Sequence, residues 1–227
     1  MDLTKAGLSY RQRSSIRQIS YGPATKIGVK FRTAWWNDSE VMRKYVSPPL
    51  QPMKGGQSTT DKPVRVVVYP SYGPGRDDEH RSTVLMVSYA WTADAQAWGG
   101  LMGDDADSKE MLKRIVLRDL VQVHQFTEEG AEFLASQWEE CKPYSWVRDP
   151  HAMGTFFSSI HPRQPNLTTI FSSGAYAYFG PGQYKTMYRS LTMPGAQGRF
   201  HIAGEAVSAR HAYVTLIISR CARGYEH

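Results

Sequence analysis

The chain has 227 residues, of which 41% are hydrophobic and 21% are charged, a balance typical of a folded globular protein. No apolar run reaches the length of about 18 residues that a transmembrane helix needs. The opening, MDLTKAGLSYRQR, lacks the apolar core of a secretory signal, so the sequence predicts neither a membrane span nor a signal peptide. Two cysteines, Cys141 and Cys221, are too few for a disulfide framework or a zinc site.

The net charge of +6 is concentrated near the start of the chain, where residues 5–32 carry seven lysines and arginines and no acid. Such a stretch can neutralise phosphates, but no recognised nucleic-acid motif accompanies it, so binding of nucleic acid is disfavoured. A solvated helix and strand, or a surface that meets an acidic partner, also explains the charge. Within this stretch, residues 8–20 are predicted to form a short helix that ends at Tyr-Gly-Pro, residues 21–23.

Alternating apolar and polar residues predict the first strand. In KIGVKFRT, residues 26–33, every second side chain is apolar, which is typical of a strand buried on one face. A long loop rich in proline, glycine and serine follows at residues 47–63. Two further strands are predicted at residues 64–69 and 83–91.

The second half of the chain is predicted to contain helices before a final strand and helix. DSKEMLKRIVLRDLVQVH, residues 107–124, has one apolar stripe, and Asp107 with Glu110 resembles a capping box. A second helix is predicted at residues 128–137, a strand at residues 199–203, and a last helix at about residues 211–223. Because strands and helices do not alternate regularly, the predicted class is α+β with a fragment of α/β at the end.

The stretch HIAGEAVSARHAYV, residues 201–214, carries the chemical signal. A strand edge delivers the small residues Ala203 and Gly204, which let a backbone approach a pyrophosphate or ribose closely. The helix that follows offers unpaired N–H groups and a positive dipole end, which favour electron density on a flavin-like ring. The spacing alone also fits an ordinary turn before a helix.

The same stretch resembles the C-terminal flavin-binding motif of the FAD-dependent amine oxidases, in their L-amino-acid oxidase branch. The resemblance continues upstream, in order. YGPATKIGVKF resembles the strand whose lysine, here Lys26, holds a water against the flavin. VLMVSYAWTADA resembles the strand whose tyrosine, here Tyr89, binds the substrate carboxylate, and WVRDPHAMG resembles the segment whose tryptophan, here Trp146, forms an aromatic wall for the substrate.

The resemblance also implies the cofactor, the substrate and the reaction. Gly204 and Glu205 would bind FAD at its ribose or pyrophosphate, and the backbone of Ala212, Tyr213 and Val214 would line the flavin edge. The Ala212 carbonyl would also accept from the substrate amine. The substrate would be a small molecule, either an amino acid or an amine. An amino acid would be oxidised to an imino acid that hydrolyses to a 2-oxo acid and ammonia, with reduction of oxygen to hydrogen peroxide.

The implied α+β fold is a mixed-sheet substrate-binding domain plus the last strand and helix of an α/β FAD-binding domain. Residues 1–22 would be the tail of an FAD-domain segment, residues 23–195 the substrate-binding domain, and residues 196–227 the C-terminal FAD-binding strand and helix. The N-terminal Rossmann half, with its GxGxxG turn and a carboxylate-binding arginine, has no counterpart in this chain. We therefore expect a fragment that is inactive by itself.

Residues 155–174, TFFSSIHPRQPNLTTIFSSG, interrupt the segment that the resemblance predicts to be continuous. This atypical insert is polar and aperiodic. Two interpretations are open at this point: a retained intron, and a genuine surface loop.

Three other functional interpretations are also open. The chain is a non-catalytic binding or scaffold protein that keeps the fold without cofactor, or a basic nucleic-acid-binding module. In the third, it is cleaved from a longer precursor and associates with a partner half that supplies GxGxxG, which leaves the enzyme interpretation intact.

Overall fold

The structure is a computed structural model that describes residues 6–71, 82–149 and 174–208. The chain divides into two compact units: unit 1 comprises residues 1–22 and 149–227, and unit 2 comprises residues 23–148. The division predicted from the sequence, with boundaries at 22/23 and 195/196, stays a prediction. Among the described residues, no helix combines the length and the apolar character that would let it cross a membrane.

Helices and strands are mixed along the chain. The helices are α1 (Tyr10–Gln18), α2 (Ser39–Tyr45), α3 (Thr92–Leu101), α4 (Ala106–His124), α5 (Glu128–Gln137) and α6 (Arg189–Thr192). The strands are β1 (Ser20–Gly22), β2 (Ala24–Phe31), β3 (Gln57–Thr59), β4 (Val66–Val68), β5 (Val84–Trp91), β6 (Trp138–Ser145) and β7 (Tyr176–Tyr178). This content confirms the predicted α+β class.

The sheet of unit 2 has the strand order β3-β4-β5-β2-β6, and every strand pair among the described residues is antiparallel. A mixed sheet was predicted, so that detail is wrong for this part of the chain. β5 and β6 run in the same direction, but β2 lies between them and pairs with both. The helices α3, α4 and α5 form the connection from β5 to β6, so two strands of like direction never become neighbours.

The core of unit 2 lies against one face of β2. Ile27, Val29 and Phe31 are fully buried, which confirms the alternation predicted for this strand. Their side chains belong to one cluster with the apolar stripe of α4 and with two neighbouring tryptophans, Trp35 and Trp36. The opposite face of β2, which carries Lys26, is left outside the core.

The start of α4 differs from the prediction. The N-cap is Asp105, whose carboxylate accepts a hydrogen bond of 2.8 Å from the Ser108 N–H, so a capping box of Asp107 and Glu110 is wrong. Asp107 already lies in the first turn of the helix, where its own backbone is helical. An aspartate two residues earlier has the extended backbone that a cap needs.

Unit 1 contains α1, the short β1–β7 ladder and a turn of π-helix at Tyr184–Tyr188 that continues into α6. The predicted strand at residues 199–203 is wrong, because residues 201–203 have no regular structure. The predicted last helix lies outside the described residues. Of the insert at 155–174, only Gly174 is described.

The N-cap of α5 provides a stability prediction. Thr127 Oγ1 accepts a hydrogen bond of 3.1 Å from the Gly130 N–H. Thr127→Ala is expected to lower the free energy of unfolding of unit 2 by about 1 kcal/mol, because one helix N–H loses its partner. Urea unfolding followed by tryptophan fluorescence measures this, since all six tryptophans lie in unit 2. Thr127→Ser keeps the acceptor and is the matched control; equal losses in both variants would contradict the role of the cap.

Candidate functional site: an aromatic surface around Lys26

Three side chains of unit 2 meet on the open face of the sheet because of the strand register. Lys26 of β2 lies opposite Tyr89 of β5 and opposite Tyr144 of β6. Residues directly opposite each other in an antiparallel pair point to the same face of the sheet. Trp91 follows Tyr89 by two residues, and Trp146 follows Tyr144 by two residues. We call these five residues the Lys26 surface.

The Lys26 ammonium lies over two aromatic rings. Its Nζ atom is 5.0 Å from the centroid of the Tyr89 ring and 5.4 Å from the Trp146 ring. A cation–π contact contributes about 0.5–1 kcal/mol at an exposed site, while a lysine side chain has about 2 kcal/mol of rotamer entropy to lose. Two rings together therefore offset much of the entropy lost when the ammonium is held in one place.

The aromatic rings also contact each other and remain open to solvent. Tyr89 and Trp91 meet edge to face with centroids 5.5 Å apart, and Tyr144 and Trp146 do so at 4.8 Å. Tyr89 is 36% exposed, Trp91 44% and Tyr144 43%. An exposed group of aromatic rings with a cation at its centre is a surface suited to binding a small molecule that has apolar and anionic parts.

The strands around Lys26 carry two irregularities that shape this surface. A β-bulge between Ile27 and Gly28 shifts the register of β2 against β5, and such a bulge bends a strand and changes the direction of its side chains. Pro143 lies in β6 opposite Ile27. Among the described residues β6 is the edge strand of the sheet, which is a position where a proline, with no N–H to donate, is tolerated.

The structure brings together Lys26, Tyr89 and Trp146, three of the residues that the sequence singled out. Their catalytic and binding roles stay predictions. Tyr144 and Trp91 were missed. The signal that could have found them is a repeated Tyr-x-Trp, in SYAW and in YSW, because residues two apart on a strand share a face.

The HIAGEAVS part of the terminal motif is described within unit 1. Gly204 has φ +129°, and a β-carbon built on it would meet no other described residue within 4 Å, so among the described residues its backbone is open to close approach. Glu205 Oε2 accepts a hydrogen bond of 3.0 Å from the Ala177 N–H of β7. Burial, and then the Glu205 carboxylate, raise the pKa of Tyr21. The predicted residues Ala212, Tyr213 and Val214 lie outside the described residues.

Comparison with known proteins identifies the family. The sequence model of the family described as flavin containing amine oxidoreductase matches residues 2–215. The chain belongs to this family. A provisionally named bifunctional amine oxidase of Dictyostelium discoideum is 35% identical to the chain over all 227 residues. The chain covers 18% of the length of that relative.

Two further relatives of the chain are L-amino-acid oxidases. L-amino-acid oxidase 4 of Hebeloma cylindrosporum is 35% identical over 94% of the chain, and an L-amino-acid oxidase of Siganus canaliculatus is 28% identical over 91%. The chain covers 30% of each of these relatives. It therefore spans less than a third of the length of the curated relatives named here.

FAD is the cofactor that membership of this family implies for the complete protein. The described residues fit a flavin nucleotide in two places, each considered within its own unit. The open backbone at Gly204 permits the close approach that a pyrophosphate or ribose needs. In unit 2, the Lys26 surface has an ammonium and flat apolar rings, which suit contact with a planar, electron-accepting molecule.

Proposed function

We propose that the complete protein oxidises an L-amino acid with FAD, and that the Lys26 surface is the part of unit 2 that meets the substrate. The observation that supports this most is the convergence of Lys26, Tyr89 and Trp146 on one sheet face, although they come from three separate strands or turns. The names of the relatives, L-amino-acid oxidases, support the choice of substrate class.

FAD, when bound, supplies the acceptor for the hydride that leaves the substrate Cα. The residues of this chain bind the substrate and orient it. The Tyr89 hydroxyl donates a hydrogen bond to the substrate carboxylate, and the Trp146 indole packs against the apolar part of the substrate. One N–H of the Lys26 ammonium would donate a hydrogen bond to a water molecule held against the flavin. Holding these groups in one geometry lowers the entropic part of the barrier.

We further propose that this chain alone does not turn over. It contains no GxGxxG, and it covers less than a third of the relatives named above. The pyrophosphate cradle would come from a partner polypeptide or from a longer form of the same protein. The absence of flavin absorbance in the purified chain is the expected result.

Titration of the chain with an L-amino acid, followed by NMR, tests the proposed site. We expect L-phenylalanine to shift the Lys26 side-chain signals and the Trp146 indole N–H. We expect Tyr89→Phe to raise the dissociation constant about 10-fold or more, because a hydrogen bond to a charged carboxylate is lost. Tyr10→Phe is the matched control, since Tyr10 is exposed and lies in unit 1.

Two results would contradict the proposal. One is an unchanged dissociation constant in Tyr89→Phe. The other is the absence of any response to amino acids in the wild-type chain. Amino-acid binding that persists in a complete, partnered protein with no bound flavin would instead favour a non-catalytic binding protein.

A further inference from the structure

Two aromatic pairs flank Lys26 in the same way. On β5, Tyr89 contacts the ammonium and Trp91 contacts Tyr89. On the β6 side, Trp146 contacts the ammonium and Tyr144 contacts Trp146. Each ring that contacts the Lys26 ammonium is therefore packed against a second ring. That second ring makes no cation–π contact with Lys26 among the described residues.

We propose that Trp91 and Tyr144 are positioning residues that hold the Tyr89 and Trp146 rings against the Lys26 ammonium. The inference rests on the proposed function, because it concerns the groups that would bind substrate there. Neither outer ring needs to touch the substrate for this role.

The ring geometry supports the proposal. The Tyr144–Trp146 planes are inclined by 81° and the Tyr89–Trp91 planes by 68°, with centroids within 6 Å in both pairs. Edge-to-face rings at such distances attract each other beyond the effect of burial alone. Each contact therefore restricts the χ angles of the ring that touches the ammonium.

A comparison of two lysines on β2 shows why the rings matter at Lys26. Lys30 is held by a carboxylate, with its Nζ 2.8 Å from Glu139 Oε2. Within the part of the chain that the structure describes, Lys26 makes no ion pair, and its contacts are with the two rings. The position of its ammonium thus depends on where those rings lie.

The exposure of the two outer rings argues against a purely structural role. Trp91 is 44% exposed and Tyr144 43% exposed, and neither belongs to the core cluster of unit 2. A half-exposed ring on the open face of a sheet contributes little to the stability of the core.

NMR of the Lys26 side chain in the purified chain tests the proposal without cofactor or substrate. Two rings near an ε-methylene group displace its proton signal upfield through their ring currents. We expect Tyr144→Ala and Trp91→Ala each to move the Lys26 signal toward that of an unstructured lysine. Tyr144→Phe and Trp91→Phe keep a ring in place and should keep the displaced signal.

Two other lysines of unit 2 are internal references. Lys44 Nζ lies 4.6 Å from the Tyr45 ring centroid, and Lys113 Nζ lies 5.8 Å from the Trp138 ring. Their signals should not change in any of the four variants. If the alanine variant at 144 does not fold, Tyr144→Leu retains apolar volume without a ring and takes its place.

Each remaining outcome overturns the proposal. An unchanged Lys26 signal in the alanine variants shows that the outer rings do not position the ammonium. A change at Lys26 together with Lys44 and Lys113 in both alanine variants and in Tyr144→Leu shows that the outer rings support the fold of unit 2 rather than the position of the ammonium. Failure of the proposed function is separate: the wild-type chain would then not respond to amino acids, whatever the variants do to the Lys26 signal.

Discussion

Unit 2 is expected to lose about 3 kcal/mol of unfolding free energy as the pH falls from about 6.5 to about 4, because His124 must stay neutral while it is buried. This residue is 1% exposed, and burial lowers its pKa from 6.5 to about 4. Between these two values the unfolded chain binds a proton at His124 that the folded chain does not. The stabilisation is therefore fully present above pH 6.5 and is lost as the pH falls toward 4.

The hydrogen bonds of His124 explain why the neutral form fits. Its Nδ1 lies 2.9 Å from the Leu120 carbonyl, which only accepts, so Nδ1 carries the proton. Its Nε2 accepts from the Tyr69 hydroxyl at 2.6 Å, and Tyr69 also bonds to Ser58 at 2.9 Å. Burial raises the pKa of Tyr69 to about 12, so this hydroxyl stays protonated. A second proton on the ring would place a charge in a core that offers no carboxylate at these two nitrogens.

Urea unfolding at a series of pH values, followed by tryptophan fluorescence, measures the effect in unit 2. His124→Gln cannot titrate and should show a flatter dependence between pH 6.5 and 4 than the wild type. His201→Gln is the matched control, because His201 is exposed in unit 1. Parallel profiles for the wild type and His124→Gln would show that His124 is not the titrating group.

Trp35→Ala is expected to lower the free energy of unfolding of unit 2 by about 3–5 kcal/mol, the range for large aromatic truncations in a core. Trp35 is fully buried. Its ring meets four others edge to face, at 5.8, 5.6, 5.0 and 5.3 Å, those of Phe31, Trp36, His124 and Phe126. Truncation removes all four contacts at once and leaves a cavity beside His124.

The indole N–H of Trp35 makes a second variant informative. None of the described residues accepts a hydrogen bond from this buried group. Trp35→Phe therefore removes an unsatisfied donor together with part of the ring, and we expect it to cost much less than Trp35→Ala. Trp91→Ala, at a half-exposed position, is the control for loss of a tryptophan outside the core. Equal unfolding free energies for Trp35→Ala and Trp91→Ala would contradict this description of the core.

The sequence was informative where local pattern and tertiary environment agree. The alternation of KIGVKFRT predicted the buried face of β2, and the helix predicted at residues 128–137 has the bounds of α5. Seven elements of the described chain were not predicted: β1, α2, β3, α3, β6, β7 and α6. The longest of them are α3 and β6. TADAQAWGGL carries two glycines and no clear apolar stripe, and WEECKPYS carries charged residues and a proline. α3 packs against the sheet, and β6 is held by its ladder to β2, so tertiary contacts override weak local preference in both.

The candidate site also depends on tertiary contacts that the local sequence does not specify. Lys26, Tyr89 and Trp146 could be named from their resemblance to a family, one residue at a time. That they share one face depends on the register of β2 with both neighbours, which the strand patterns alone do not specify. The supporting rings, Trp91 and Tyr144, can be assigned to the site only once that register is known.

A chimeric enzyme tests most directly whether unit 2 is the substrate-facing part of an amino-acid oxidase. Residues 23–148 would replace the matching segment of the Hebeloma cylindrosporum L-amino-acid oxidase 4, and hydrogen peroxide formation from L-amino acids would be measured in the flavin-loaded product. We predict that the chimera turns over, and that Lys26→Met lowers kcat/KM by about 100-fold or more through loss of a positioned donor. A flavin-loaded chimera in which Lys26→Met oxidises the substrate at the unmodified rate would contradict the proposed function.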